Sequence, residues 1–167
     1  MDNRYKFINL KTFEISDTPG DFIMVDAEIV DIVAILNSKG YQTYASCAGH
    51  NKMVFTETLE CSKDDFNKYL AKEPSVKIME ETEDKIFYKS ECLGMNTYIA
   101  FKEDYDFSFI PEGFSYDNEK NLIYRMINFY NGKQRRKDKD IEDELKNNWY
   151  ILNKWALELK PLKEKER

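Results

Sequence analysis

Apolar residues recur at helical spacing in two parts of the chain. The first stripe consists of Ile29, Ile32, Val33 and Leu36. It predicts a helix over residues 26–39, capped by Asp26 at its start and ended by Gly40. The second stripe consists of Ile141, Leu145, Trp149, Leu152, Trp155 or Ala156, and Leu159. It predicts an amphipathic C-terminal helix that begins near Asp140 and stops at Pro161.

Shorter apolar segments, most of them alternating, predict strands. These segments are residues 5–15, 41–45, 53–59, 76–79, 85–89, 97–102 and 121–130. Ser62 is predicted to cap a short helix, and residues 103–121 to form a loop with aromatic anchors Phe107, Phe109 and Phe114. The pattern predicts an α+β fold: a single mixed, mostly antiparallel sheet, with helices packed on one face and the C-terminal amphipathic helix. We expect one domain over residues 1–160 and a flexible tail over 161–167.

Composition narrows the classes of partner. The 167 residues include 25 basic and 31 acidic side chains, which gives a net charge of −6. Nucleic acid is therefore disfavoured as a partner, whereas an acidic protein-interaction module or inhibitor of a host protein stays open. The odd set Cys47, Cys61 and Cys92 forms no disulfide framework. The polar start of the chain and the lack of a run of about 20 apolar residues predict no signal peptide and no membrane span. The expected location is the cytoplasm.

Chemically useful side chains concentrate in one turn. Ser46, Cys47, Ala48, Gly49 and His50 follow the predicted strand 41–45, and His50 is the single histidine of the chain. Turns carried on a rigid scaffold often hold binding residues. Ala48 and Gly49 allow a ligand close to the backbone, where successive amides can form an anion-binding nest. We predict that residues 46–50 bind a ligand.

Three chemistries compete at this turn. The first is binding of an anion or nucleotide through the amides, Ser46 and His50. The second is nucleophilic catalysis by Cys47 activated by His50, which needs a third group to orient the imidazole. The third is a zinc site, because Cys47 and His50 have ligand spacing and Cys61 or Cys92 could add a ligand. Zinc sites usually contain two close ligand pairs, so no metal is expected here, and the sequence names no catalytic residue and no cofactor.

The segment Leu36–His50, LNSKGYQTYASCAGH, resembles small uncharacterised proteins of Gram-positive bacteria and their phages that share an LN-x-KGY-x-T-x-x-(S/C)C-x-GH pattern. It is also distantly similar to the wybutosine-synthesising tRNA methyltransferase family, which has an SSCSGR turn. The second resemblance implies contact with S-adenosylmethionine or an RNA phosphate at Ser46, Cys47, Gly49 and His50. His50 stands where that family has Arg, which removes a bidentate phosphate contact.

The leading hypothesis is therefore a small bacterial or phage protein that binds a nucleotide-like or anionic ligand at the 46–50 turn. A phage protein of this kind could act against host defence, by sequestering a signalling nucleotide or by blocking a defence component. One alternative is an S-adenosylmethionine-dependent RNA-modifying enzyme. The other is the acidic protein-interaction module. Whether the chain is an enzyme is left open by the sequence.

Overall fold

Short strands and three α-helices make up the described chain. The structure, a computed structural model, describes residues 4–20, 22–50, 58–90 and 93–163. The strands are β1 (Tyr5–Ile8), β2 (Ile15–Ser16), β3 (Ile23–Asp26), β4 (Thr43–Cys47), β5 (Leu59–Ser62), β6 (Val76–Glu81), β7 (Lys85–Ser90), β8 (Gly94–Phe101), β9 (Ser115–Asp117), β10 (Leu122–Asn128), β11 (Tyr130–Asn131) and β12 (Gln134–Arg135). The helices are α1 (Val30–Ser38), α2 (Lys63–Asp65), which continues as a π-helical turn (Phe66–Leu70), and α3 (Asp138–Glu158).

The α+β class and the C-terminal helix are confirmed. The strands form four sheets within the described residues, where the sequence predicts one. Their orders are β2-β1-β3, β4-β8-β10-β9, β5-β7-β6 and β11-β12. The strand pairs whose registers are resolved are all antiparallel. Alternating apolar residues predict where strands lie but not which strands pair with one another. The number of sheets therefore cannot be predicted from the apolar pattern.

The chain divides into two compact units. Unit 1 comprises residues 1–49, 96–126 and 143–167, and unit 2 comprises residues 50–95 and 127–142. The single domain predicted over 1–160 stays a prediction, and residues 164–167 of the predicted tail lie outside the described residues. No helix in the described part of the chain is long and apolar enough to cross a membrane.

Helix α1 begins later than its sequence signature suggests. The prediction that Asp26 caps it is wrong, since Asp26 is the last residue of β3 and pairs with Tyr5 of β1. The helix starts at Val30 without a side-chain cap. The predicted end is confirmed: the backbone turns at Gly40, which has φ +94°, a conformation that glycine adopts without strain.

The core of unit 1 lies between α1, β8 and the second half of α3. The predicted stripes are confirmed, since Ile32, Leu36 and Leu152 are almost fully buried. The loop before β9 contributes Phe107, whose ring stacks on the ring of Tyr41 and packs against the ring of Trp155. The ring centroids are 5.4 Å apart in both pairs. Aromatic contacts of this kind stabilise a core beyond the area that they bury. The expected aromatic anchors are therefore correct for Phe107 and for buried Phe114.

The third expected anchor, Phe109, is 42% exposed. The loop instead engages the core there through its backbone, because the indole Nε1 of Trp155 donates to the Phe109 carbonyl at 2.8 Å. The predicted strand over residues 121–130 is confirmed as β10. The predicted strand 53–59 lies almost entirely outside the described residues, which include only its positions 58 and 59.

Unit 2 is built on the three-stranded sheet of β5, β7 and β6. The predicted cap of the short helix is confirmed: the Ser62 hydroxyl accepts from the Asp65 amide at 3.2 Å. Phe66 is buried and packs edge-on against Tyr88, with ring centroids 6.0 Å apart. This contact attaches the helical turn to the middle strand of the sheet.

The end of α3 is held by one lysine. Lys39 donates from Nζ to the carbonyls of Ala156, Leu157 and Leu159 at 2.8, 2.6 and 2.6 Å. The last carbonyls of a helix have no partner within the helix, and their partial negative charge attracts a cation. Lys39 therefore joins the end of α1 to the end of α3 within unit 1.

We predict that Lys39→Met lowers the free energy of unfolding by about 2 kcal/mol, because three carbonyls lose a charged donor while the aliphatic stem is kept. Urea denaturation measures the change. The matched control is Lys154→Met, on the exposed face of α3 with Glu158 at 4.0 Å, which should shift stability by less than about 0.5 kcal/mol. Equal losses in both variants would contradict the role given to Lys39.

Candidate functional site

The predicted turn begins two residues later than the sequence suggests. Ser46 and Cys47 are the last residues of β4, and the chain leaves the sheet at Ala48. Ser46 pairs with Ile99 of β8 and Cys47 with Tyr98. Successive residues of a strand point to opposite faces. The Ser46 side chain therefore lies on the face of buried Ile99, and Cys47 lies on the other face beside Tyr98.

Both backbone groups of Ala48 are used inside unit 1. Ala48 is fully buried. Its amide donates to Oδ2 of Asp26 at 2.7 Å, and its carbonyl accepts from Nε1 of Trp149 at 2.7 Å and from Oγ1 of Thr97 at 3.0 Å. Buried backbone groups need such partners, and here they come from three separate elements. The turn is consequently fixed by β3, β8 and α3.

The amides that follow also have acceptors. Gly49 donates to Sγ of Cys47 at 3.4 Å, and His50 donates to Sδ of Met95 at 3.2 Å. The amides of residues 48, 49 and 50 are thus engaged within the chain. An anion bound in the proposed nest would have to displace these acceptors, one of which is a carboxylate.

Asp26 is the site residue that the sequence interpretation missed. It is 6% exposed, and its carboxylate orients the turn through the Ala48 amide. The signal was present in the sequence, because Asp26 directly follows the apolar run Ile23–Val25. An acidic residue at that position serves equally well as a helix cap, and only the tertiary structure distinguishes the two.

The environment of Cys47 keeps its thiol protonated. Burial raises the pKa of Cys47 above its ordinary value. The Gly49 amide lowers this pKa, whereas the charge of Asp26 and a hydrogen bond to its carboxylate raise it further. A reactive cysteine needs the opposite environment, in which neighbouring groups favour the thiolate. Nucleophilic catalysis by Cys47 therefore gains no support from its surroundings.

Asp26 and Cys47 meet within unit 1, where the Asp26 carboxylate and the Cys47 thiol share a hydrogen bond. His50 is the first residue of unit 2, where its amide is bonded to Met95. Cys61 lies in β5, and Cys92 lies outside the described residues. Unit 1 thus contains Ser46, Cys47, Ala48 and Gly49 of the predicted site residues, and the structure adds Asp26 to them.

An open cleft of about 740 Å³ lies on the Tyr98 face of the same sheet. Tyr44, Tyr98, Lys102 and Lys120 are among the residues that line it. Burial raises the pKa of Tyr98 most, and the nearby charges of Cys47 and Asp26 raise it further. The Tyr98 hydroxyl therefore stays protonated at neutral pH and lies close to the turn.

Comparison of the chain with models of known protein families, with curated proteins and with solved structures gives no match.

We predict that Gly49→Ala lowers the free energy of unfolding by about 3 kcal/mol, from left-handed strain and overpacking together. Gly49 has φ +80°, and a methyl group there would lie 2.7 Å from Cδ2 of Leu145 and 2.9 Å from Oγ1 of Thr97. The matched control is Gly132→Ala, where φ is +62° and no atom lies within 4 Å of the added carbon.

Gly132→Ala should lower the free energy of unfolding only through backbone strain, by about 1 kcal/mol. Chemical denaturation of both variants separates the two contributions. If Gly49→Ala costs no more than Gly132→Ala, the turn is not closely packed against β8 and α3.

Proposed function

We propose that this chain binds a small nucleotide-like anionic ligand in the cleft beside the 46–50 turn. The observation that carries the proposal is that two tyrosines and two lysines line one cavity. Its volume of about 740 Å³ falls within the range of about 300–1,000 Å³ that is usual for small-molecule sites.

Two small residues are among those that line the cleft. Ala45 of β4 and Ala100 of β8 are direct partners in the antiparallel ladder, and both line the cavity. Partners in a ladder lie on the same face, so their methyl groups sit side by side. Larger side chains at these positions would fill the space where a ligand would lie.

A β-bulge turns one aromatic ring toward the cleft. The register of β4 with β8 shifts between Thr43 and Ala45, and Tyr44 is the residue in between. A bulge redirects the side chain of its extra residue. Tyr44 is 59% exposed and lines the cleft together with Tyr98. Exposed aromatic rings are the usual surfaces on which nucleobases stack.

The cleft is locally cationic in an acidic chain. Lys102 and Lys120 line it together with a single acidic residue, Glu119. Within the described residues, neither lysine forms an ion pair. Lys120 is held by the turn before β10, where Oδ1 of Asp117 accepts its amide at 3.1 Å. This bond fixes the backbone of Lys120 at the cleft, and an ammonium group there would suit a phosphate.

The same cleft accommodates the alternatives that share an adenosine group. S-adenosylmethionine belongs in the ligand panel because of the resemblance to the wybutosine-synthesising methyltransferases. Cyclic nucleotides belong there because a phage protein with this cleft would sequester a signalling nucleotide in the host cytoplasm. Pyrophosphate tests for binding of the anion without a base.

We predict that isothermal titration detects at least one nucleotide, and that pyrophosphate binds more weakly because it cannot stack. The double variant Lys102→Ala/Lys120→Ala should raise Kd by about 10- to 100-fold, since each lost phosphate contact contributes about 1.4 kcal/mol or less. Tyr44→Ala should weaken nucleotides but leave pyrophosphate unchanged.

The matched control is Lys146→Ala/Lys154→Ala, which removes the same charge from the exposed face of α3. Its Kd should stay within about twofold of the parent value, because it changes only the long-range field, which salt screens. Silence across the whole panel, or equal losses in both double variants, would reject the cleft as the binding site.

A further inference from the structure

Strand β6 is an edge strand of the three-stranded sheet in unit 2. Among the described residues it pairs with β7 alone, in the order β5-β7-β6. Its residues from Lys77 to Glu81 are all exposed, and the exposed fractions of Ile78 and Met79 are 51% and 53%. An edge strand presents a row of backbone N–H and C=O groups on its open side, which is a template for pairing with another strand.

A β-bulge decides which side chains of β6 share a face. The partners of Lys77 and Glu80 in β7 are Lys89 and Phe87, which are two residues apart and so lie on one face of the sheet. Lys77 and Glu80 therefore lie on that same face, although they are three residues apart. The extra residue that makes this possible is Met79, where the register shifts.

Two like charges meet on this face. Lys77 lies directly opposite Lys89, and like charges at such positions repel each other. Within the described part of the chain, neither these two lysines nor Glu80 forms an ion pair. By contrast, the carboxylate of Glu81 already pairs with Lys63 at 2.9 Å. A carboxylate on the open side of Lys77 would offset the repulsion between the two lysines.

A second copy of β6 supplies this carboxylate. Two antiparallel copies of the strand, related by a two-fold axis perpendicular to the sheet, have a register in which Lys77 of each copy lies opposite Glu80 of the other. The same register places Ile78 opposite Met79, so that half-exposed apolar side chains meet. Residues directly opposite each other must lie on one face of the sheet, and the bulge meets this condition for Lys77 and Glu80.

We propose that two copies of this chain associate through β6 and form one continuous antiparallel sheet. The two-fold axis makes each contact twice, so the second copy matches the pattern of charges by symmetry. One strand edge is a small interface, and each copy has a net charge of −6, so the dimer is weak and reversible. The proposal does not rest on nucleotide binding, because the cleft lies in unit 1.

The test is sedimentation equilibrium of the full chain at physiological salt, which screens the net repulsion between the copies. The parent protein should show a monomer–dimer equilibrium between micromolar and millimolar concentrations. Lys77→Glu and Glu80→Lys should each raise the dimer Kd by about tenfold or more, since each replaces two attractive pairs by two repulsive ones. The double variant Lys77→Glu/Glu80→Lys should return the Kd to near the parent value, because both pairs form again with their signs exchanged.

Lys133→Glu is the matched control, since it reverses an exposed lysine in the turn between β11 and β12, which form a different sheet. Its dimer Kd should stay within about twofold of the parent value. Circular dichroism confirms that each variant is folded. A parent protein that stays monomeric over the whole range overturns the proposal. So does a dimer that the single reversals leave unchanged, or one that the double variant fails to recover.

Discussion

The hydrogen bonds of the Ala48 peptide group hold the candidate site together. Its amide reaches a carboxylate at the end of β3, and its carbonyl accepts from β8 and from the indole of α3. These groups are far apart in sequence and meet only in the folded unit 1. Because Ala48 is fully buried, loss of the Asp26 carboxylate leaves its amide without a partner, at a cost of about 1–3 kcal/mol. The carbonyl has two donors, so the peptide group is held from three elements at once.

That constraint decides what the turn can offer to a ligand. Its amides are occupied by Asp26, Cys47 and Met95, so side chains rather than the backbone face outward. The antiparallel register places Cys47 beside Tyr98, on the face where Ala45 and Ala100 leave an open cleft. The candidate site is thus the Tyr98 face of this sheet, where the cleft runs along β4 and β8.

The sequence predicted the elements whose signals are local. Helical spacing located α1 and α3, Ser62 marked the start of α2, and Gly40 marked the end of α1. The cysteine and histidine of the turn were also visible, because unusual side chains cluster there. Such features depend on neighbours a few residues away, and the chain itself sets their spacing.

The rest depends on register between distant strands. Asp26 was assigned to a helix cap, because a cap and a buried hydrogen-bond acceptor look alike in sequence. Tyr44 and Tyr98 share a cleft only because β4 bulges against β8, and one residue of slip would move them to opposite faces. Lys120 comes from a different hairpin again. A single sequence contains no pairing information of this kind, so the cleft and the contact of Asp26 with the Ala48 amide became visible only in the folded chain.

The most direct test of the account is native-state hydrogen exchange at the Ala48 amide, followed by NMR. If the turn is fixed as described, this amide should exchange only through unfolding of unit 1. Its opening free energy should then equal the free energy of unfolding measured with denaturant. The amide of Glu119, bonded to Asp117 in an exposed turn at 3.0 Å, should exchange much faster. An Ala48 amide that exchanges as fast as Glu119 would show that the turn opens freely, and the idea of a preorganised site would fail.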